Sequence, residues 1–345
     1  MWIPIAALAA IYFSVGGPYP PTAYDIRWAS VALVLLAVLG RTYALAAVLA
    51  AAVALAGALY FGFAYLVQVV AGQPERWPYV VGALLVLGLS ALQLVRRARR
   101  DTFFDPVILV AAQLGVASLC RWLYYLVSGV GLDPSGYVAG TITTPFRTEL
   151  PLLALGLAAV GFGLTRTWGP AMDRLGIVVP RWWQLVVAFA VADIFLVSVG
   201  LVNNLTFFLV PDQWHRIVEI LYRTYSPLPG WALLLFAVLA GVSEETLFRG
   251  ALQPRAGVIL TAILFAAGHI QYGLTPILGM VFVHGIGYGL LRRYMNTSTA
   301  IVAHTAYDSG GFPLSHLSEA NALWAVLLVA VVAIDVWRAR RTVAA

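Results

Sequence analysis

Apolar runs follow one another along almost the whole chain, broken only by short clusters of proline, glycine or arginine. A bilayer core demands roughly 20 consecutive apolar residues per helix. About twelve segments come near that length: 2–16, 24–40, 42–70, 79–95, 104–127, 149–167, 182–204, 231–253, 257–271, 273–291, 297–312 and 320–337. The third is long enough to be tilted or broken, and the second and ninth are short. The sequence therefore predicts an all-α fold, a polytopic transmembrane helical bundle of about twelve spans. Composition agrees, since 61% of residues are hydrophobic and only 10% charged, whereas soluble domains carry roughly 25% charged residues. Residues 2–16 read as a first span rather than as a removed signal peptide. Cys120 is the only cysteine, so no internal disulfide can form.

The net charge of +6 comes from arginine alone. In a chain this apolar, basic residues report orientation, and no nucleic-acid partner is expected. The clusters at 96–100, Arg166 with Arg174 and Arg181, Arg292–Arg293 and 338–341 fall on one side if each span crosses once. Arg41 and Arg255 join them. The positive-inside rule then predicts a multi-pass protein of the cell membrane with both termini cytoplasmic. The most polar interruption, "WGPAMDRLGIVVPRWW" at 168–183, suggests a seam between residues 1–167, about six spans of unknown role, and 168–340.

Nearly all the unusual polarity follows that seam. An ionisable group in hydrocarbon costs several kcal/mol unless paired or wetted. In "AGVSEETLFRGAL" (240–252), Glu245 and Arg249 are four apart, share a helix face and can pair. Glu244 is rotated from Glu245 by about 100° and has no partner on its own helix. Phe265 and His269 are four apart in the next run, and His304 and Asp308 are four apart in a later one. At ~1.5 Å per residue, Glu244, His269, His304 and Asp308 lie about 13, 18, 10 and 16 Å deep, within one slab. His284, in the glycine-rich "VFVHGIGYG", reads as helix packing. Asp193 at mid-membrane either holds an arginine or lines the cavity. His215 and His316 fall at or near loops and read as solvated. A free carboxylate beside an imidazole, both shielded from bulk water, is a water-activating arrangement, and a second imidazole supplies a donor for a developing oxyanion.

These residues resemble the family of CAAX proteases and bacteriocin-processing enzymes, intramembrane peptidases that include the type 2 CAAX prenyl proteases. The family's Glu-Glu-x-x-x-Arg, Phe-x-x-x-His and His-x-x-x-Asn/Asp helices read here as Glu244-Glu245-Thr-Leu-Phe-Arg249, Phe265-Ala-Ala-Gly-His269 and His304-Thr-Ala-Tyr-Asp308. The resemblance covers roughly 170–338, a CAAX-protease-like core in the C-terminal half, and leaves the first 165 residues unmatched. It implies that Glu244 is the general base, that His269 helps activate water, that His304 and Asp308 occupy oxyanion-stabilising positions, and that Glu245, Arg249 and Phe265 support the site. The prenyl-protease branch has Asn where this chain has Asp308, and an ionised Asp cannot donate to an oxyanion. Either Asp308 is protonated, or it orients His304, or the site holds a metal. No His-Glu-x-x-His pair at zinc spacing exists on one helix. A metal-free site is therefore favoured. Zinc on Glu244, His269, His304 and Asp308 is the alternative.

The expected function is an intramembrane endopeptidase acting beside the lipid bilayer on a hydrophobic or lipid-modified peptide or protein. One rival is a catalytically inactive immunity or scaffold protein with the same core. The other is a proton-coupled transporter, against which the crowding of charge into one half weighs.

Overall fold

The computed structural model describes residues 106–128 and 144–311 continuously, together with 31, 34, 35, 38, 66, 69–72 and 77–85. The expected spans at 2–16 and 320–337, most of 24–40, 42–70 and 79–95, and His316 lie outside the described residues. Among the described residues every regular element is helical. They are α1 (Pro106–Ser128), α2 (Thr144–Ala159), α3 (Trp168–Leu175), α4 (Trp182–Leu209), α5 (Pro211–Tyr225) and α6 (Gly230–Glu245). A π-helical segment (Thr246–Leu252) continues α6 into α7 (Gln253–Gly268), and a short 3-10 turn (Ile270–Tyr272), α8 (Pro276–Tyr294) and α9 (Thr297–Gly311) complete the order.

Among the described residues three helices are long and apolar enough to cross a membrane, Val110–Val127, Trp182–Leu209 and Gly230–Gly268. The chain is a membrane protein by these helices. The third is not one rod. Gly257 has φ +76°, outside the helical range, which glycine adopts without a Cβ penalty. The Phe248 and Phe265 rings, seventeen positions apart, lie 5.4 Å centroid to centroid, whereas a straight helix would separate them by about 25 Å. The run therefore folds back on itself, as the separate expected spans 231–253 and 257–271 require.

Two boundaries differ from the sequence reading. The span expected at 149–167 is a helix that starts at Thr144 and ends at Ala159. Tight turns through Gly161 and Gly163, both at positive φ, carry the chain onward. The gap after 204 holds an extra helix. Pro211 at its first turn fits a position where no N–H is needed, and α5 buries Ile217 and Ile220 while Asp212, Arg216, Glu219 and Arg223 face outward. His215 accordingly sits on a helix rather than a loop, and it is exposed.

The main core crosses the seam drawn at 168. Leu155 and Ala158 of α2 and Val107 and Val110 of α1 pack in one cluster with Leu175 of α3, Leu247 and Leu252 of the π segment and Phe265 of α7. All seven residues of the π segment are buried. Neighbours surround it on every side, so the usual division into a core face and a lipid face disappears there. The basic end of the bundle is tied by polar bonds. Arg174 Nη1 donates to Gly250 O (3.3 Å), Thr297 Oγ1 to Leu175 O (2.5 Å) and Asn296 Nδ2 to Gln184 Oε1 (3.1 Å). Asn296 also caps α9, its Oδ1 accepting Thr299 N–H at 2.8 Å.

Candidate functional site

The site is built where α6 turns into the π segment and α9 packs against it. Contact is close because residue 241 is glycine: a Cβ there would lie 3.1 Å from Ile301 O and Thr305 N and 2.2 Å from Thr305 Oγ1. That approach lets His304, next to Thr305, reach Glu245 one turn below Gly241. His304 Nδ1–H donates to Glu245 Oε1 at 2.8 Å.

Glu245 and Arg249 are both fully buried, and Arg249 Nη1 donates to the same Oε1 at 2.9 Å. The pair expected from four-residue spacing survives the switch to π geometry. Arg249 Nη2 donates to Gly285 O (2.9 Å), and its Cζ lies 4.4 Å from the Phe265 ring centroid and 5.4 Å from that of Tyr288. Phe265 is thus a wall of the guanidinium pocket. His304 stacks on Tyr288 with centroids 4.8 Å apart and planes at 14°. With Nδ1 spent on Glu245, His304 presents Nε2 to Asp308, whose Oδ2 lies 3.6 Å away. The Asp308 side chain keeps 23% of its surface exposed, so this face of the cluster is open.

Glu244 behaves differently from its neighbour. Its Oε2 is buried with no hydrogen-bond partner. The charges acting on it are those of His304, Asp308, Glu245 and Arg249. Other buried polar atoms without partners cluster nearby: Glu245 Oε2, Arg249 Nε, Tyr288 Oη and Thr305 Oγ1.

His269 does not continue the face of Phe265 as a helical residue. Helix α7 ends at Gly268, and His269 occupies its C-cap with φ −94° and ψ 48°. Its Nδ1–H donates to Phe265 O at 2.8 Å, satisfying one of the carbonyls a helix end leaves open. That bond fixes the tautomer and leaves the Nε2 lone pair available. The ring lies parallel to Tyr272 at 6.0 Å. His269 shares the charges of His304 and Asp308 with Glu244, and it also feels Glu149. Among the described residues no hydrogen bond joins Glu244 to His269, so His304 and Asp308 stand as their common neighbours.

The remaining candidates separate clearly. His284 is 3% exposed, stacks on Phe195 at 3.9 Å and lies 3.1 Å from Ser198 Oγ through Nε2. Ser198 gives its own proton to Phe195 O at 2.7 Å, so the imidazole donates. His284 is a clamp between α8 and α4, in keeping with the packing reading. Asp193 neither holds an arginine nor lines the cavity: it is exposed on the outer side of α4, beside Ile194 and Val197. Among the described residues no three His, Cys, Asp or Glu side chains converge to hold a metal ion.

Sequence reasoning missed Glu149. It is 5% exposed on α2, and its Oε2 accepts the Ser243 hydroxyl at 2.5 Å. Its charge acts on His269 and Asp308. The only signal was one acid opening an apolar run.

Residues 226–310 match the family model described as Type II CAAX prenyl endopeptidase Rce1-like. That segment contains Glu244, Glu245, Arg249, Phe265, His269, His284, His304 and Asp308, in agreement with the resemblance carried by the three motifs. No curated protein and no solved structure matches the chain.

Proposed function

We propose that this chain is an intramembrane endopeptidase that hydrolyses a peptide bond of a hydrophobic or lipid-modified substrate at the bilayer. The observation that carries the reading is the contrast between adjacent acids. Glu245 is neutralised by Arg249 and bonded by His304, while the buried Glu244 Oε2 has no partner. A carboxylate whose Oε2 has no partner, within electrostatic reach of the His304 imidazole, is suited to general-base work. The orphaned polar atoms around it call for a small hydrated chamber.

In the proposed reaction a water gives its proton to Glu244 while its oxygen attacks the peptide carbonyl. The Nε2 lone pair of His269 orients that water. His304, protonated at both nitrogens, donates Nε2–H to the oxyanion, and Asp308 holds the ring rather than donating itself. The C–N bond then breaks and the proton on Glu244 passes to the leaving amine. No metal takes part. Glu245, Arg249 and Phe265 hold His304 in place. The protein is further assigned to the cell membrane, with about twelve spans, cytoplasmic termini, and residues 168–340 as the peptidase domain.

The inactive-relative reading draws on one observation. Asp308 Oδ2 lies 3.6 Å from His304 Nε2, the atom an oxyanion would need. The test is turnover of quenched hydrophobic peptides, prenylated and unprenylated, by the full chain in liposomes. Glu244→Gln and His269→Ala should each lose on the order of 100- to 10,000-fold while remaining folded. Wild-type rates in both variants would end the assignment, and no cleavage by the wild type would favour the inactive relative.

A further inference from the structure

The matched segment does not contain all of the site. Helix α2, which precedes it, packs along α6 and the π segment in the same chain direction, Glu149 meeting Ser243 and Gly156 meeting Leu247. The close approach is made at Gly156, where a Cβ would lie 3.1 Å from Leu247 N and Cα. Two turns earlier on the same face of α2 comes Glu149, because seven residues bring a helix back to nearly the same side. There it meets Ser243, the residue directly before Glu244.

The bond is specific. Ser243 is 1% exposed and has a single hydroxyl proton. It lies 2.5 Å from Glu149 Oε2 and 3.3 Å from Ala240 O, so the carboxylate is the main acceptor. A buried acid in an apolar helix is costly, and packing alone gives no reason for one. Glu149 also acts electrostatically on His269 and Asp308, which come from two other segments of the chamber.

We propose that Glu149 is a positioning residue: by accepting the Ser243 hydroxyl it fixes the turn that presents Glu244, so that α2 completes a site the C-terminal segment holds only in part. This rests on the peptidase reading given above. Glu149 touches neither water nor substrate in this role. Its effect falls on the orientation of the base, and misplacing a reacting group by about 1 Å costs on the order of 100-fold.

The test uses the full chain in liposomes, with kcat and KM measured for Glu149→Gln, Glu149→Ala, Ser243→Ala and the double variant Glu149→Ala/Ser243→Ala. Glutamine keeps a carbonyl acceptor for the serine, so Glu149→Gln should stay within about threefold of wild type. Each alanine variant should lose roughly 10- to 100-fold in kcat with KM unchanged. The double variant should be no worse than the poorer single, since each single already removes the Ser243–Glu149 bond. Should Glu149→Ala fail to fold, Ser243→Ala and Glu149→Gln carry the same comparison. Wild-type kcat in the alanine variants, multiplied losses in the double, or a Glu149→Gln as poor as Glu149→Ala would each overturn the assignment. Glu244→Gln is run alongside. If it is inactive while the Glu149 series fails, only the positioning role falls. If it turns over normally, the peptidase reading falls and takes this inference with it.

Discussion

Replacing Arg249 by methionine should destabilise the protein far more than an ordinary surface charge would. The guanidinium makes one bond to the Glu245 carboxylate and one to Gly285 O, both at 2.9 Å, and lies over the Phe265 face. Bonds of this charge-assisted kind contribute about 1.5–3 kcal/mol each, and a desolvated cation–π contact adds about 2 kcal/mol. Relief of guanidinium desolvation opposes them. The buried Glu245 would then be left with His304 alone, and breaking one side of a buried pair costs about 3–5 kcal/mol net. Cys120 gives the assay. It is the sole cysteine and 6% exposed, on α1, which packs against α7 and the π segment. Its thiol lies against Gly82, so labelling by a thiol-reactive fluorophore across an SDS titration reports loosening of the helices packed on α1. A Glu245→Leu/Arg249→Met double variant should recover about half of the loss or more, since paired removal of a buried ion pair is often tolerated, yet it should remain inactive. A single variant within about 1 kcal/mol of wild type would refute the claim that this cluster is held by its charges.

Two further outcomes follow from the packing. Gly241→Ala must push α9 outward, because two of the three nearest atoms are backbone; stability should fall by about 1–3 kcal/mol and turnover by roughly 10- to 100-fold. Adding Thr305→Ala should not restore either, and full rescue would show that only the threonine hydroxyl stood in the way. Asp193→Leu should stabilise the folded state by about 1–3 kcal/mol, since an outward-facing acid at this depth is costly, with turnover unchanged; a loss of stability would mean that the carboxylate has a partner.

What the sequence revealed and what it hid divide along a physical line. Pairs within one helix were legible, because 3.6 residues per turn places Glu245 over Arg249 and His304 over Asp308 whatever surrounds them. The bond between Glu245 and His304 was not, since it depends on how closely α6 and α9 approach at Gly241. The π segment was hidden for a related reason. Its sequence, Thr246–Leu252, is as apolar as its flanks, and only neighbours on all sides distinguish it. Helix α5 did carry a readable signal, with Ile217 and Ile220 spaced three apart among charged residues. Its shortness and polarity disguised it as a loop. The end of α7 one residue before His269 was within the ordinary uncertainty of helix boundaries.

The continuity of the core across residue 168 bears on how such a protein can be cut and recombined. A gene fragment encoding only 226–310 would supply the three motifs, but it would lack the helix that covers Leu247 and Leu252. Grafted onto a foreign scaffold, it would present oily surfaces with no matching lid. The motif-bearing segment is thus not a portable cassette, and any shortened version must carry α1 and α2 with it.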